Sequence, residues 1–545
     1  MPTYQLTAAD GTGHALVPGG RPITIGRHPE NVLALNDERL SRYHCVVEFN
    51  GDGRLRVRDL GSRNGTKVNG VRVTDAVLKA GDVIKVGGHQ FTVESEATLQ
   101  EKQHEARLSA PAGDAPWISD LRTLIEMLPP RGGLDDRIVL IDARGKPSDA
   151  FEQQTPGPVA VRLLLLAASK SRATDIHCEP RGESTHVRLR VDGQMVGILD
   201  LPNPVAELAY GLIKTACQFQ QASREAVLDG HLSARLQTQD GPPGGRRVDY
   251  RISFTPSMHG QKLVVRILDQ RDAPRSLNEL ELPPYMADRV RKVCQQDAGM
   301  LLVCGPTGSG KTTTLYNALR EIDRTTKNVV TIEDPVEYHL EGVTQIPIDE
   351  RRGNTFGSLL RSVLRQDPDV ILVGEIRDEE TARTAMRASM TGHLVFSTVH
   401  AKDTISSVFR LLDLKVEPYL VANSLEVVLA QRLVRVLCEN CKRPIAVSPA
   451  QATRMGRFLE NQKSIFVATG CAQCLRTGYR GRRAIFELLD FTDELRDVVL
   501  GEATIQAMKK VIESGLFTTL VQNGWQLVAR GVTTMEEVDR VASAR

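Results

Sequence analysis

Eight consecutive residues, Gly305-Pro306-Thr307-Gly308-Ser309-Gly310-Lys311-Thr312, carry the strongest chemical signal in the chain. Glycines at these intervals let the backbone curl until several N–H groups face one phosphate, which side chains would obstruct. The apolar run MLLVCG leads into the loop and the helical run KTTTLYNALREI leads out of it, so the positive end of a helix adds to the cradle. Lys311 can reach the β- and γ-phosphates, the Thr312 hydroxyl can sit on Mg²⁺, and Thr313 is the next residue of the cradle. The chemistry expected here is binding of ATP with Mg²⁺.

Hydrolysis needs more than a cradle. Two acidic groups close apolar runs further along: Glu333, Asp334 and Glu337 in TIEDPVEY, and Glu375 and Asp378 in DVILVGEIRD. Ligands of parallel α/β domains lie beyond the carboxyl ends of the strands, so both groups are expected near the phosphates. One carboxylate can order Mg²⁺ through water and another can orient or deprotonate the attacking water. Solvated loop charge is the plain alternative, and it applies with most force to Glu337 and Asp378. His393 and His400 bracket a further apolar run, TGHLVFSTVH. They can sense the γ-phosphate, pair with carboxylates, or simply end a strand.

Nine cysteines are present, four of them in two tight pairs, Cys438-x-x-Cys441 and Cys471-x-x-Cys474. Four thiolates from two such pairs can close a tetrahedron around Zn²⁺ and leave no open position, which makes the expected role structural. Iron–sulfur or redox use is the alternative chemistry. Cys45, Cys178, Cys217, Cys294 and Cys304 are scattered and read as core or incidental. A disulfide framework would use cysteine differently.

These groups need a scaffold of several domains, because 545 residues exceed one. Composition is that of a globular protein, 41% hydrophobic and 25% charged, with a formal net charge of +2. That balance, with aromatics at 4%, gives no basic, aromatic-lined track for nucleic acid, and no nucleic-acid partner is expected. No apolar run reaches the roughly 18 residues of a membrane span. VRLLLLAA from Val161 has the length of a buried helix, and MPTYQLTAAD lacks the basic and apolar regions of a secretory leader. A cytosolic location is therefore expected.

Short alternating runs separated by Gly and Asn turns, HCVVEF, LRVRDL, DVIKVG and QFTVES, make residues 1–97 a β-sandwich. Residues 98–158 read as a linker holding a short helix over Ser119–Leu128, with linker-like sequence again over 143–158. Residues 159–275 begin with a helix and continue with strands such as THVRLRVDG and RVDYRISF, with a turn at GPPGG near 241. Residues 276–435 hold nearly continuous apolar strands, MLLVCG, NVVTIE, DVILVGE and HLVFSTVH, divided by helices. This is the pattern of parallel strands covered on both faces. The cysteine subdomain takes 436–482 and a helical region 483–545. The fold class is thus multidomain α/β, with an N-terminal β-sandwich, an α+β domain and a RecA-like P-loop core with a zinc insert. No internal repeat is evident.

The blocks ATDIHCEP from Ala173, VRLRVDG from Val187, GPTGSGKT, TIEDPVEY, RQDPDVILVGEIRDEETA from Arg365, TGHLVFSTVH, LAQRLVRVLCENCK from Leu429 and GYRGRRAIFELL from Gly478 resemble the type II secretion and type IV pilus extension ATPases over about 160–545. The tetracysteine insert favours the assembly and secretion branch over the retraction motors, which lack it. The resemblance implies a homohexamer that hydrolyses ATP to drive an inner-membrane platform protein, so the chain would be peripheral to that membrane. It implies that Glu333 activates water, that Glu375 helps hold Mg²⁺, and that His400 belongs to the site. Arginines before the phosphate loop would reach the γ-phosphate, best matched by Arg246 and Arg266, with Arg188 and Arg190 behind them. Read from the residues alone, strand arginines in a charged block are more often salt-bridged or solvated. Two runs depart from the family: Leu228-Asp229-Gly230-His231, which lacks an arginine, and His400-Ala401-Lys402-Asp403.

Residues 20–94 resemble a forkhead-associated (FHA) domain through ITIGRHPENVLAL, LSRYHCVVEF, RDLGSRNGTKVNG and AGDVIKVG. The resemblance implies that Arg27, Ser41, Arg42 and Asn64 face a phosphothreonine-containing partner protein. Gly26, His44, Gly65, Asn69 and Gly70 would shape the loops. Guanidinium forks with hydroxyl and amide donors suit a dianionic phosphate. Family motors commonly begin with a helical docking domain, so this front end suggests control of recruitment or assembly by phosphorylation. The competing readings are a phosphopeptide scaffold with a vestigial ATPase half and a RecA-like nucleic-acid motor.

Overall fold

The computed structural model describes residues 4–8, 12–16, 21–50, 52–95, 115–129, 134–219, 223–238, 246–269, 271, 273–459, 462–501 and 503–542. The expected linker over 98–114 and the turn at 241–245 lie outside the described residues. Two compact units result, one of 1–114 with 152–160 and 204–212, the other of the remainder.

The first unit contains a sandwich of two sheets. One has the order Gly13–Leu16, Tyr4–Ala8, His89–Ser95, Val83–Val86, Thr66–Val68, Val71–Val73; the other runs Leu33–Ala34, Ile23–Gly26, Cys45–Phe49, Leu55–Asp59, Asp75–Val77. Alternation aims Leu6, Ile25, Val47, Val57, Ile84 and Val93 inward, all fully buried. The turns between strands therefore gather at the ends of the sandwich.

In the second unit an antiparallel sheet is ordered Pro147–Ser148, Leu134–Ile141, Leu228–Thr238, Arg246–Ser257, Gly260–Leu268, Ala173–Arg181, Ser184–Val191, Gln194–Pro202. The segment read as linker over 143–158 differs from expectation. It holds the strand Pro147–Ser148, a 3₁₀ turn at Asp149–Glu152 and the start of the helix Pro156–Ser171. Phe151, 2% exposed, anchors it, and one buried aromatic among polar residues leaves too little periodicity to read. The short helix spans Pro116–Met127, starting earlier than expected because Pro116 sits at its first position.

The phosphate loop hangs from a seven-stranded sheet ordered Thr344–Pro347, Val329–Glu333, Val370–Val373, Leu394–Val399, Gly299–Cys304, Leu425–Leu437, Tyr479–Asp490. All neighbours are parallel except the last pair. Gly299–Cys304, Val370–Val373 and Leu394–Val399 are buried at every residue, and apolar clusters cover both faces of the sheet. Arg483–Asp490, assigned from sequence to a helical region, instead completes the last strand, and the helices begin at Asp493. Pairing with the long strand Leu425–Leu437 decides this, a long-range contact that local pattern does not carry.

Candidate functional site

The strand Gly299–Cys304 ends at the loop, and the helix Lys311–Arg320 begins beyond it with Gly310 as its N-cap. Gly305, Gly308 and Gly310 have φ of 155°, 78° and 88°, the region that favours glycine. A Cβ on Gly305 would stand 2.5 Å from Ser309 Oγ and 2.6 Å from the Gln431 carbonyl, so space as well as torsion requires glycine. The Lys311 ammonium donates to the Gly305 and Pro306 carbonyls at 3.0 and 3.1 Å. Burial pushes its pKa down, and the negative charge of Glu375 works against that shift.

Gln431 and Arg432, quoted in a family block but given no role from sequence, brace this loop from the neighbouring strand. Gln431 Oε1 accepts from Thr314 Oγ1 at 2.6 Å. The half-buried Arg432 guanidinium donates to the Gln431 carbonyl at 3.1 Å and to the Lys402 carbonyl. It thereby joins the phosphate loop to the 400–403 run. It has no carboxylate partner among the described residues, and burial lowers its pKa.

The two glutamates stand in different surroundings. Glu375 is half-buried between Arg377 Nη2 at 2.5 Å and His400 Nε2 at 3.2 Å. Burial raises its pKa, but the Arg377 hydrogen bond, with the charges of Arg377 and His400, outweighs burial and leaves it below its ordinary value. Glu333 is turned into the core, 3% exposed. It accepts from the Tyr316 hydroxyl, from Thr331 Oγ1 at 2.6 Å and from Gln345 Nε2 at 3.3 Å. Glu337 is exposed, and its side chain has no hydrogen-bond or ion-pair partner among the described residues. Asp378 caps the helix Glu379–Met390 through the Thr381 N–H at 2.8 Å, and His393 Nδ1 is 3.1 Å from the Ala388 carbonyl at that helix's end. Both therefore have structural partners.

Arg246 and Arg266 lie on opposite faces of the antiparallel sheet. Arg246 shares the buried phase of its strand with Val248 and Tyr250 and pairs with Asp269 at 2.6 Å. Arg266 lies opposite Arg251 across the ladder, so one phosphate cannot meet Arg246 and Arg266 from the same side. Arg266 bonds Asp175 at 3.1 Å, Arg190 stands 3.6 Å from Asp175, and Arg188 pairs with Glu179 at 2.6 Å. Arg251 has no ion-pair or hydrogen-bond partner for its side chain among the described residues. Alternation in RVDYRISF was the available signal for it, since it places Arg251 out of phase with the buried residues.

Among the described residues the four paired cysteines form the metal-capable cluster, all sulfurs within 4.8 Å of one another. The Cys438–Cys471, Cys441–Cys474 and Cys471–Cys474 separations are 3.9, 3.9 and 3.7 Å. Four thiolates held about 2.3 Å from a tetrahedral ion stand about 3.8 Å apart, so the set fits Zn²⁺. The Asn440 amide, donating to Cys471 Sγ, pulls that thiol down to about 6, and the Cys471 and Gly478 N–H groups donate to Cys474 Sγ at 3.2 and 3.3 Å. The other five cysteines are buried.

In the sandwich, hydrogen bonds tie three loops together. Arg27 N–H donates to the Ser41 carbonyl, His28 N–H to the Arg42 carbonyl, and Arg63 N–H to Ser41 Oγ, at 3.1, 3.0 and 3.0 Å. Asn64 Nδ2 donates to the Arg39 carbonyl at 2.7 Å. The buried His44 ring accepts from Ser41 N–H at 3.3 Å and meets the Gly65 carbonyl at 3.3 Å, which assigns the proton to Nε2. Asp59, which sequence reasoning passed over, accepts from the Ser62 hydroxyl at 2.7 Å and the Thr66 hydroxyl at 2.6 Å and so fixes the 60–65 turn. Arg27, Ser41, Arg42 and Asn64 are thus brought to one end of the sandwich.

A P-loop sheet with a tetracysteine insert, in a chain that also carries this sandwich, defines a class before any name. Residues 152–540 match the family described as type II/IV secretion system protein, and residues 23–87 match the FHA domain. The type II secretion system protein E of Pseudomonas aeruginosa is 39% identical over 433 residues, covering 78% of this chain and 84% of that one. The type II secretion system ATPase E of Vibrio cholerae is 38% identical, over 75% and 80%, and the type IV pilus assembly ATPase PilB of Myxococcus xanthus 37%, over 73% and 69%. The ATPase DotB of Legionella pneumophila, 20% identical, aligns with a TM-score of 0.53 over 71% of this chain and 96% of its own, which shows a shared fold. The chain belongs to the type II/IV secretion system protein family and is a secretion-family ATPase carrying an FHA domain. No helix among the described residues is long and apolar enough to cross a membrane.

Proposed function

We propose that this chain is the ATP-hydrolysing motor that drives assembly of a type II secretion pseudopilus or a type IV pilus. It works as a homohexamer in the cytosol against an inner-membrane platform protein, and phosphothreonine recognition by its FHA domain governs its recruitment. The phosphate loop carries the reading: strand, three glycines in the left-handed region and Lys311 at the helix start, in a chain of this family. Gly305 to Thr313 hold ATP, Thr312 and Glu375 hold Mg²⁺, and Cys438, Cys441, Cys471 and Cys474 hold a structural Zn²⁺. The parts divide as 1–97, 98–158, 159–275, 276–435, 436–482 and 483–545, with 147–158 joining the part after it and Arg483–Asp490 joining the ATPase sheet. Glu333 accepts from three side-chain donors inside the core, whereas the exposed Glu337 has no side-chain partner among the described residues and Asp334 faces Arg377, so Glu337 is the carboxylate of this run that meets the attacking water. Arg266, with Arg251 beside it, is the pair presented to a γ-phosphate.

Steady-state ATP hydrolysis measured against protein concentration tests the motor. The rate per subunit should rise with concentration and disappear in Lys311→Ala. A flat, negligible rate in a preparation shown to be hexameric would favour a phosphopeptide scaffold instead.

A further inference from the structure

Beside the loop cluster of the sandwich, three cations stand in one row across the outer face of the larger sheet. Lys85 is in register opposite Lys67, and Lys67 opposite Arg72, on the adjacent strands Val83–Val86, Thr66–Val68 and Val71–Val73. All three side chains are exposed. Like charges directly opposite one another on neighbouring strands repel, so such a row is unfavourable in an isolated domain. None of the three has an ion-pair or hydrogen-bond partner for its side chain among the described residues. Nearby carboxylates are engaged elsewhere: Asp82 accepts from Asn69 Nδ2 and Lys79 N–H, and Glu94 accepts from Thr7 Oγ1.

The row joins the phosphothreonine loops directly. The Arg72 side chain packs against Gly65, where an added Cβ would lie 2.2 Å from its Nε. Gly65 belongs to the turn that carries Arg63 and Asn64, and Arg63, also exposed, lacks a side-chain partner among the described residues. From Leu60 to Thr74 the sequence holds three cations, Arg63, Lys67 and Arg72, and no carboxylate. The acidic residues of this end are Glu30, Asp37 and Glu38 on the earlier loops and Asp59 before the turn; Glu30 accepts from Tyr43, Asp37 from Arg39 and the Gly88 N–H, and Asp59 from Ser62 and Thr66.

We propose that the row Arg72–Lys67–Lys85, with Arg63 at its head, receives an acidic segment flanking the phosphothreonine. The partner is then a phosphothreonine protein whose residues on one side of the modified threonine are rich in Asp and Glu. Neighbouring strands are about 4.8 Å apart, so long cationic side chains span the distance to successive carboxylates of an extended peptide. The inference rests on phosphothreonine recognition by the FHA loops and adds the chemistry of the sequence around it.

Calorimetric titration of the full chain tests it with phosphothreonine peptides flanked by alanine and serine, by three glutamates on the amino side, or by three glutamates on the carboxyl side. Unphosphorylated copies of each serve as controls. Glutamates on one side should tighten binding about tenfold at low salt. The double variant Lys67→Gln/Lys85→Gln should abolish that gain while leaving the neutral phosphopeptide bound as before. A neutral phosphopeptide that binds, with acidic flanks on either side adding nothing, overturns this inference and leaves phosphothreonine recognition standing. A gain that survives the double variant overturns it too. Phosphorylated peptides that bind no better than their unphosphorylated copies overturn phosphothreonine recognition itself, and the inference with it.

Discussion

Replacing each of two glutamates separates anchoring from water activation. Glu333 is 3% exposed and accepts from Tyr316, Thr331 and Gln345. In Glu333→Gln the amide oxygen still serves Thr331 and Gln345, and the Tyr316 hydroxyl can turn to accept from the new NH₂. The loss is that of charge assistance, about 1–2 kcal/mol. Glu333→Ala instead strands two buried hydroxyl donors, Tyr316 and Thr331, at about 1–2 kcal/mol each, so about 2–4 kcal/mol in total, while Gln345 Nε2 keeps the Tyr338 carbonyl at 3.0 Å. Glu337 is exposed and has no side-chain partner among the described residues, so Glu337→Gln should leave stability within about 0.5 kcal/mol. If Glu337 meets the attacking water, its replacement lowers kcat by about 10²–10⁴-fold with nucleotide affinity kept. Denaturant unfolding gives the stabilities, and coupled ATPase assays on hexameric protein give kcat. Turnover abolished in Glu333→Gln at unchanged stability, with Glu337→Gln as active as the parent, would refute the assignment and make Glu333 the base.

Arg251→Ala and Arg266→Ala should each reduce kcat about 10-fold or more, whereas Arg246→Ala should act mildly on stability, removing one of the two arginines that pair with Asp269 while Arg271 keeps its bond at 3.1 Å; activity and melting curves of the three variants decide. Zinc removal by a chelator should release one equivalent of metal per chain and destabilise the subdomain built on Cys438, Cys441, Cys471 and Cys474, read by metal analysis and by proteolysis between 436 and 482. Glu537 gives a pH prediction. Its burial raises the pKa, but hydrogen bonds from Arg540 and Arg435 outweigh burial and hold the folded carboxyl below its ordinary value. The unfolded chain therefore binds the proton first as pH falls. The stabilisation is whole above the unfolded glutamate pKa of about 4.3 and is lost as pH drops through the folded value, and Glu537→Gln should flatten that acid limb in unfolding titrations.

By itself the sequence determined the parts whose chemistry is local. A phosphate loop is eight neighbouring residues between a strand and a helix, and a zinc site is two CxxC pairs, so spacing alone exposes them. The buried strands were equally plain, because covering both faces of a parallel sheet demands continuous apolar runs such as Val370–Val373. Tertiary structure alone decided what distant segments do to one another. In TIEDPVEY the sequence favours Glu333 over Glu337 as the carboxylate that meets water. The Tyr316 hydroxyl, 17 positions away in sequence from Glu333, gathers the first into the core and leaves the second in water. Arg246 and Arg266 look equally suited to a phosphate until strand register sets them on opposite faces. Arg432 sits in the core of a recognisable block, yet its work of tying the phosphate loop to Lys402 exists only when two parallel strands lie side by side. Periodicity reports which way a residue faces along its own strand. The row Lys85–Lys67–Arg72 depends on three strands meeting in one register, a relation that no single stretch of sequence contains.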